Sequence, residues 1–142
     1  MKDPIYEIIS AITTLLTGSM SYGSYKFSVY DTLPETTSNK YVWFPNALIV
    51  DESTQDKYRH DVTLTIQVVI KGQQRYSSRQ AIADIGSDLL TILIKRSSLT
   101  MANHVLSVKP YLENITHETS YQDGSGLTLS SDYVIRFETQ QK

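Results

Sequence analysis

The sequence predicts an α+β domain, a mostly antiparallel β-sheet flanked on one face by two α-helices, formed as a single domain over residues 1–142. Three stretches carry that expectation. Asp61 to Ile70 alternates strictly, with Val62, Leu64, Ile66, Val68 and Ile70 on one side and Asp61, Thr63, Thr65 and Gln67 on the other, as a strand covered on one face does. Arg79 to Arg96 instead repeats Ile82, Ile85, Leu89, Ile92 and Leu93 at helical spacing. Ile5, Ile8, Ile9, Ile12, Leu15 and Leu16 do the same near the amino terminus. With 142 residues, folding can bury roughly two-thirds of the unfolded surface, enough for one real core.

In chain order, the first helix is expected over Asp3 to Leu16. Asp3 can accept from the free N-H groups of the first turn, Pro4 has the φ that suits the first helical position, and Gly18 can end the helix. Ser19 to Ser24 has a linker composition. Tyr25, Phe27 and Val29 then alternate with Lys26, Ser28 and Tyr30 as a half-buried strand would. Asp31 to Lys40, with Pro34 and many Asn, Ser and Thr residues, is an exposed loop. Tyr41 to Phe44 is a strand, stopped or bulged at Pro45 and continued by Ala47 to Val50. Asp51 to Arg59 is a polar, mobile loop, acidic at its start.

After the central strand, Lys71 to Ser78 forms a polar turn from which Ser77 or Ser78 can cap the second helix. Lys95 and Arg96 suit the negative end of its dipole. Gly86 costs about 1 kcal/mol relative to Ala inside a helix, which points to a closely packed neighbour. Val105 to Tyr111 is a strand bent at Pro110, Asn114 to Gln122 favours extended chain, and Asp123 to Gly126 is a turn. The closing strand, Tyr133 to Glu138, puts Tyr133, Ile135 and Phe137 on one face, and Thr139 to Lys142 is expected to fray.

A formal net charge of −2, with charges scattered, offers no basic stripe for gripping nucleic acid. The absence of cysteine removes disulfides and thiolate metal sites. No charged segment followed by an apolar core opens the chain, so neither a signal peptide nor a membrane span is expected. His60, His104 and His117 lie far apart; His117 and Glu118 open like a zinc-protease motif, but the second histidine one turn on is missing. Gly124, Ser125 and Gly126 lack the third glycine of a phosphate loop, no serine sits in a nucleophile elbow, and Asp51, Glu52 and Asp56 lack the spacing of a calcium loop. These residues therefore read as surface, turn and solvated loop, and no catalytic residue, cofactor or metal site is expected. A hydrolase or ligand site assembled from residues distant in sequence is the competing expectation.

Ten tyrosines and one tryptophan are more informative, because such side chains offer a large apolar area with a polar tip and are enriched where one protein meets another. Tyr41, Trp43 and Tyr133 can equally fill sheet faces.

Read in order, the helix Asp3 to Leu16, then Val29-Tyr30-Asp31 with Leu33-Pro34 running into Tyr41-Val42-Trp43, the alternating strand Val62 to Ile70, the helix Ala81 to Leu93 and the closing Tyr133-Val134-Ile135-Arg136-Phe137 resemble the tail terminator (tail completion, or head-tail joining) proteins of tailed bacteriophages. The likeness spans nearly the whole chain and lies in order and spacing rather than in a chemical motif. The acidic loop Asp51 to Arg59 departs from the pattern, as does Tyr76 where a tryptophan often follows the central strand. The resemblance implies a non-enzymatic virion protein of the tail or neck, assembled in the host cytoplasm. It implies a hexameric ring that caps the tail tube, stops its polymerisation and meets a head connector or stopper protein, while DNA passes through without specific binding and no membrane is involved. By that analogy Tyr41, Trp43 and Phe44 would contribute to a ring or neck interface, and the loop carrying Asp51, Glu52 and Asp56 would face the tube, head or lumen. Another neck component, such as a head-side stopper or connector ring, is the alternative within the same class.

Overall fold

The structure is a computed structural model that describes residues 3–17, 21–22, 25–36, 39–54, 57–71, 76–94, 99–122 and 126–142. Helix α1 (Pro4–Leu16) starts as its residues dictate: Asp3 Oδ1 accepts from the Ile5 N-H at 2.8 Å and Pro4 takes the first position. It closes through Thr17, whose N-H and hydroxyl both donate to the Thr13 carbonyl, while Gly18 lies outside the described residues. Ile8, Ile12 and Leu16 are buried along one stripe.

Strands β1 (Ser21–Tyr22) and β2 (Tyr25–Lys26) form a small antiparallel pair of their own. The expected strand Tyr25 to Tyr30 is thus divided, because β3 (Ser28–Val29) instead runs parallel to the start of β4 (Lys40–Asp51). The main sheet continues from β4 to β5 (Arg59–Lys71) and then to β8 (Gly126–Gln141), both pairings antiparallel. Far along β8, β6 (His104–Leu106) and β7 (Tyr111–Gln122) share its remaining edge, also antiparallel. The sheet is therefore mixed, with one parallel pair. Pro45 sits where the β4 register slips between Trp43 and Asn46, since a residue without an N-H cannot hold a ladder bond there.

Helix α2 (Tyr76–Leu93) follows β5. Residues 72–75 of the expected turn, Lys95 and Arg96 at its far end, and residues 123–125 of the β7–β8 turn lie outside the described residues. Ile82, Ile85, Leu89 and Leu93 join α1 and the fully buried Val62, Leu64, Ile66, Val68 and Ile70 of β5 in one cluster, with Tyr133, Ile135 and Phe137 of β8. The alternate positions of β5, Asp61 to Gln67, are only half-buried. Two features of the sheet end differ from expectation. The last strand starts seven residues before Tyr133, at Gly126. Thr139 to Lys142 does not fray: Thr139 is buried, the Gln141 N-H donates to the Tyr58 carbonyl, and the Lys142 N-H donates to the Asn103 carbonyl. Backbone partners on both sides, β5 and β6, hold these residues in place.

Candidate functional site

The sheet face turned away from the core cluster follows from the same alternation. Odd positions of β5 and even positions of β8 line it, and β4 brings Tyr41 and Trp43 to it and, past the bulge, Asn46, Leu48 and Val50. Polar side chains here find partners across strands. The Trp43 Nε1-H donates to Gln67 Oε1 at 2.6 Å, and Gln67 Nε2 donates to Asp132 Oδ1 at 2.8 Å, a relay across β4, β5 and β8. Further along the same face, Arg136 donates to Asp61 Oδ2 at 2.6 Å and, at 3.4 Å, to Glu113 Oε1. These hydrogen bonds hold its guanidinium above its already high ordinary pKa. Loss of water beside the Tyr111 ring pushes its phenol upward.

The residues expected at an interface are distributed as follows. Trp43 lies half-buried on this outer face. Tyr41 is buried there, its ring 5.9 Å from that of Tyr30 and under the Lys71 ammonium, 5.2 Å from the ring centre. Phe44 points the other way, into the core. Asp51 and Glu52 are exposed at the mouth of the loop, and Asp56 lies outside the described residues. The described parts of that loop are tied down, since the Glu52 N-H donates to the Arg59 carbonyl and the Thr54 N-H to the Lys57 carbonyl. Hydrogen bonds from Ser53 lower the Asp51 pKa. Leu48, Val50 and Tyr111 are large apolar side chains left exposed on the outer face. Alternation could have flagged Leu48 and Val50, had the register past the Pro45 bulge been legible.

Two polar clusters have no local signature in the sequence. His117 Nδ1 lies 2.7 Å from the Ser131 hydroxyl, which also meets the Tyr133 hydroxyl, beside a cavity of about 270 Å³ walled by Ile82, Ala83 and Leu129. Ser131 is only 1% exposed, and among the described residues no carboxylate orients His117, so the chain ties β7 to β8 rather than activating a nucleophile. On α1, Glu7 Oε1 accepts from the backbone and side-chain N-H groups of Asn103 at 2.8 and 2.7 Å, and Oε2 meets Nδ1 of the buried His104. Burial works to raise the Glu7 pKa, but the bonds to His104 and Asn103 outweigh it and leave the carboxyl below its ordinary range. Among the described residues no three His, Asp or Glu side chains stand close enough to hold a metal ion. No described helix is long and apolar enough to cross a membrane.

No protein-family model and no curated protein matches the chain. Among solved structures it is similar to a chain of the virion of a native gene transfer agent particle, with a TM-score of 0.69 over 99% of both chains at 14% sequence identity. At that identity the likeness is one of fold, and it runs end to end.

Proposed function

We propose that this chain is a structural virion protein that forms a hexameric ring at the head-proximal end of a phage-like tail, stops tube polymerisation there and joins tail to head. The end-to-end likeness to a gene transfer agent virion chain is the observation that carries the reading, because it matches the order of elements that resembles tail terminators. The mechanism is occlusion. One ring face covers the last ring of tail tube protein, so the next tube subunit finds no docking surface, and the other face meets the head connector or stopper. DNA passes through the opening unheld: with a net charge of −2 the chain has no surplus of cations with which to gain affinity by counterion release. The outer sheet face with Trp43, and the loop mouth with Asp51 and Glu52, supply contacts in this reading, and Phe44 sets the position of Trp43 from the core side. Neither a cofactor nor a chemical step is involved, and the protein resides in the tail or neck of the particle after assembly in the host cytoplasm.

Electron microscopy of the purified protein, alone and added to polymerising tail tubes, tests the reading. Open-centred rings that shorten the tubes are the expected result. A strict monomer at high concentration with no effect on tube length would sink it, and rings that bind a portal-side partner but leave tube growth unchanged would move the chain to another neck position.

A further inference from the structure

Among the described residues the main sheet has a long open edge on each side. On one side β3 covers only the beginning of β4: the last backbone bond there runs from the Tyr30 N-H to the Val42 carbonyl at 2.9 Å. Among the described residues no backbone group bonds to the outer edge of β4 from Asn46 to Asp51. On the other side β7 pairs with β8 along its inner edge, and among the described residues nothing pairs with its outer edge. The side chains of β7 from Glu113 to Thr119 are all exposed, so these seven residues add little to the core that would offset the entropy of ordering them.

Bare edges are templates for further pairing, and proteins that stay solitary blunt them with lysine, proline or bulges. β4 uses Pro45 and its bulge in this way and β7 has a register slip between Leu112 and Asn114, but past these irregularities neither Asn46 to Asp51 nor Asn114 to Gln122 contains Lys, Arg or Pro. Each edge also carries exposed apolar side chains: Leu48 and Val50 on β4, Tyr111 and Ile115 on β7.

We propose that the outer edge of β4 in one copy pairs with the outer edge of β7 in the next, so that one sheet runs unbroken through the ring. The proposal rests on the ring reading above and names its interface. Strand direction favours a second copy as the occupant. Within the sheet β4 and β8 run one way and β5 and β7 the other, so β7 laid beside the β4 of a neighbour is antiparallel to it and continues the pattern already present. Core faces then stay on one side, and all four exposed apolar side chains gain cover. Because the two edges lie at opposite ends of one sheet, the contact is heterologous and repeats head to tail, which closes into a ring when the rotation per step divides the circle.

The chain contains no cysteine, so an engineered disulfide reports a single contact. Leu48→Cys is combined in turn with Asn114→Cys, Thr116→Cys and Glu118→Cys, all exposed positions on the outer face. Under mild oxidation one pair is expected to give a ladder of multimers on a non-reducing gel, since a disulfide needs Cα atoms within about 7 Å; the single variants should give none. Cross-linked dimers from a single variant would mean that an edge meets its own counterpart, and would overturn the proposal. Rings seen by native mass measurement with no ladder from any pair would leave the ring reading standing and remove this interface. Monomers alone, for the unaltered chain, would remove both. Charging the edge with Leu48→Lys and Val50→Lys together is expected to abolish multimers at an unchanged melting temperature; multimers that persist would also overturn it.

Discussion

A Cβ built on Gly86 would stand 1.6 Å from the Tyr133 hydroxyl oxygen and 2.4 Å from the ring carbon that bears it. The missing side chain in α2 is the notch into which β8 seats its tyrosine, and burial there pushes the phenol pKa up while the bond to Ser131 pulls against it. Gly86→Ala should therefore destabilise by about 1–3 kcal/mol, the usual range for overpacking, although alanine is the better helix former. Urea denaturation would show it. Tyr133→Phe in the same background, which removes the nearest atom, should lose less than the two single changes summed; full additivity would argue against the notch.

Stability on the acid side should depend on Glu7. Its carboxyl has a folded pKa below the ordinary 4.5, so it contributes stability that is complete above that value and is lost as pH falls through the folded pKa. Thermal melts between neutral pH and pH 3 should show this loss in the unaltered chain. In Glu7→Gln the acid slope should be shallower, from a neutral-pH starting point lowered by about 1–3 kcal/mol, because the donors of Asn103 and His104 lose their ionised acceptor. Parallel pH profiles for the two proteins would refute the assignment.

Removing Gln140 to Lys142 should cost more than trimming a loose tail. The cut deletes the bonds from Gln141 to Tyr58 and from Lys142 to Asn103, and the Lys142 ammonium bond to the Met101 carbonyl at 2.8 Å. At about 0.5–1.5 kcal/mol each, a loss of roughly 2–4 kcal/mol is expected, together with faster amide exchange at Val105. An unchanged melting temperature would contradict it.

Trp43 separates packing from assembly. Trp43→Phe keeps most of the apolar area but removes the donor to Gln67, and should cost about 1 kcal/mol while leaving multimers intact. Trp43→Ala should shift native mass toward monomer. If both variants keep the ring and the melting temperature of the unaltered chain, Trp43 does not belong to the interface.

Elements whose burial repeats at one period were legible. β5 carries five apolar side chains in register, and α1 shows its cap, its proline and its stripe, so the sequence marks both to within a residue or two of their bounds. Gly86 was also legible as a sign of close packing, because a helix interior has no other use for it. The closing strand is longer than its apolar alternation indicates for a physical reason: Ser131 occupies a core position as a polar link between His117 and Tyr133, which interrupts the pattern. Ser107 to Pro110 separates β6 from β7 where the sequence suggested one bent strand, and only the shared edge of β8 explains why both fit. The relay from Trp43 to Asp132, with links of 24 and 65 positions, and the cluster around Glu7, with links of 96 and 97, run across strand pairings or between a helix and a strand, and no local pattern encodes such registers.

The pairing of β5 with β8 has a kinetic side. Its partners stand from 57 residues apart, Lys71 with Thr128, to 81 apart, Arg59 with Gln140, so the sheet gains its middle ladder only after a long loop has been closed. Chains dominated by such distant pairings fold in milliseconds to seconds rather than microseconds. On a ribosome, β4, β5 and α2 emerge well before β8, and until residues 126–141 arrive β5 lacks its inner partner and β7 has no strand to pair with. The β7 edge proposed to receive a neighbour is thus the last to be displayed, and a chain still being translated would offer its sisters only half of a joint.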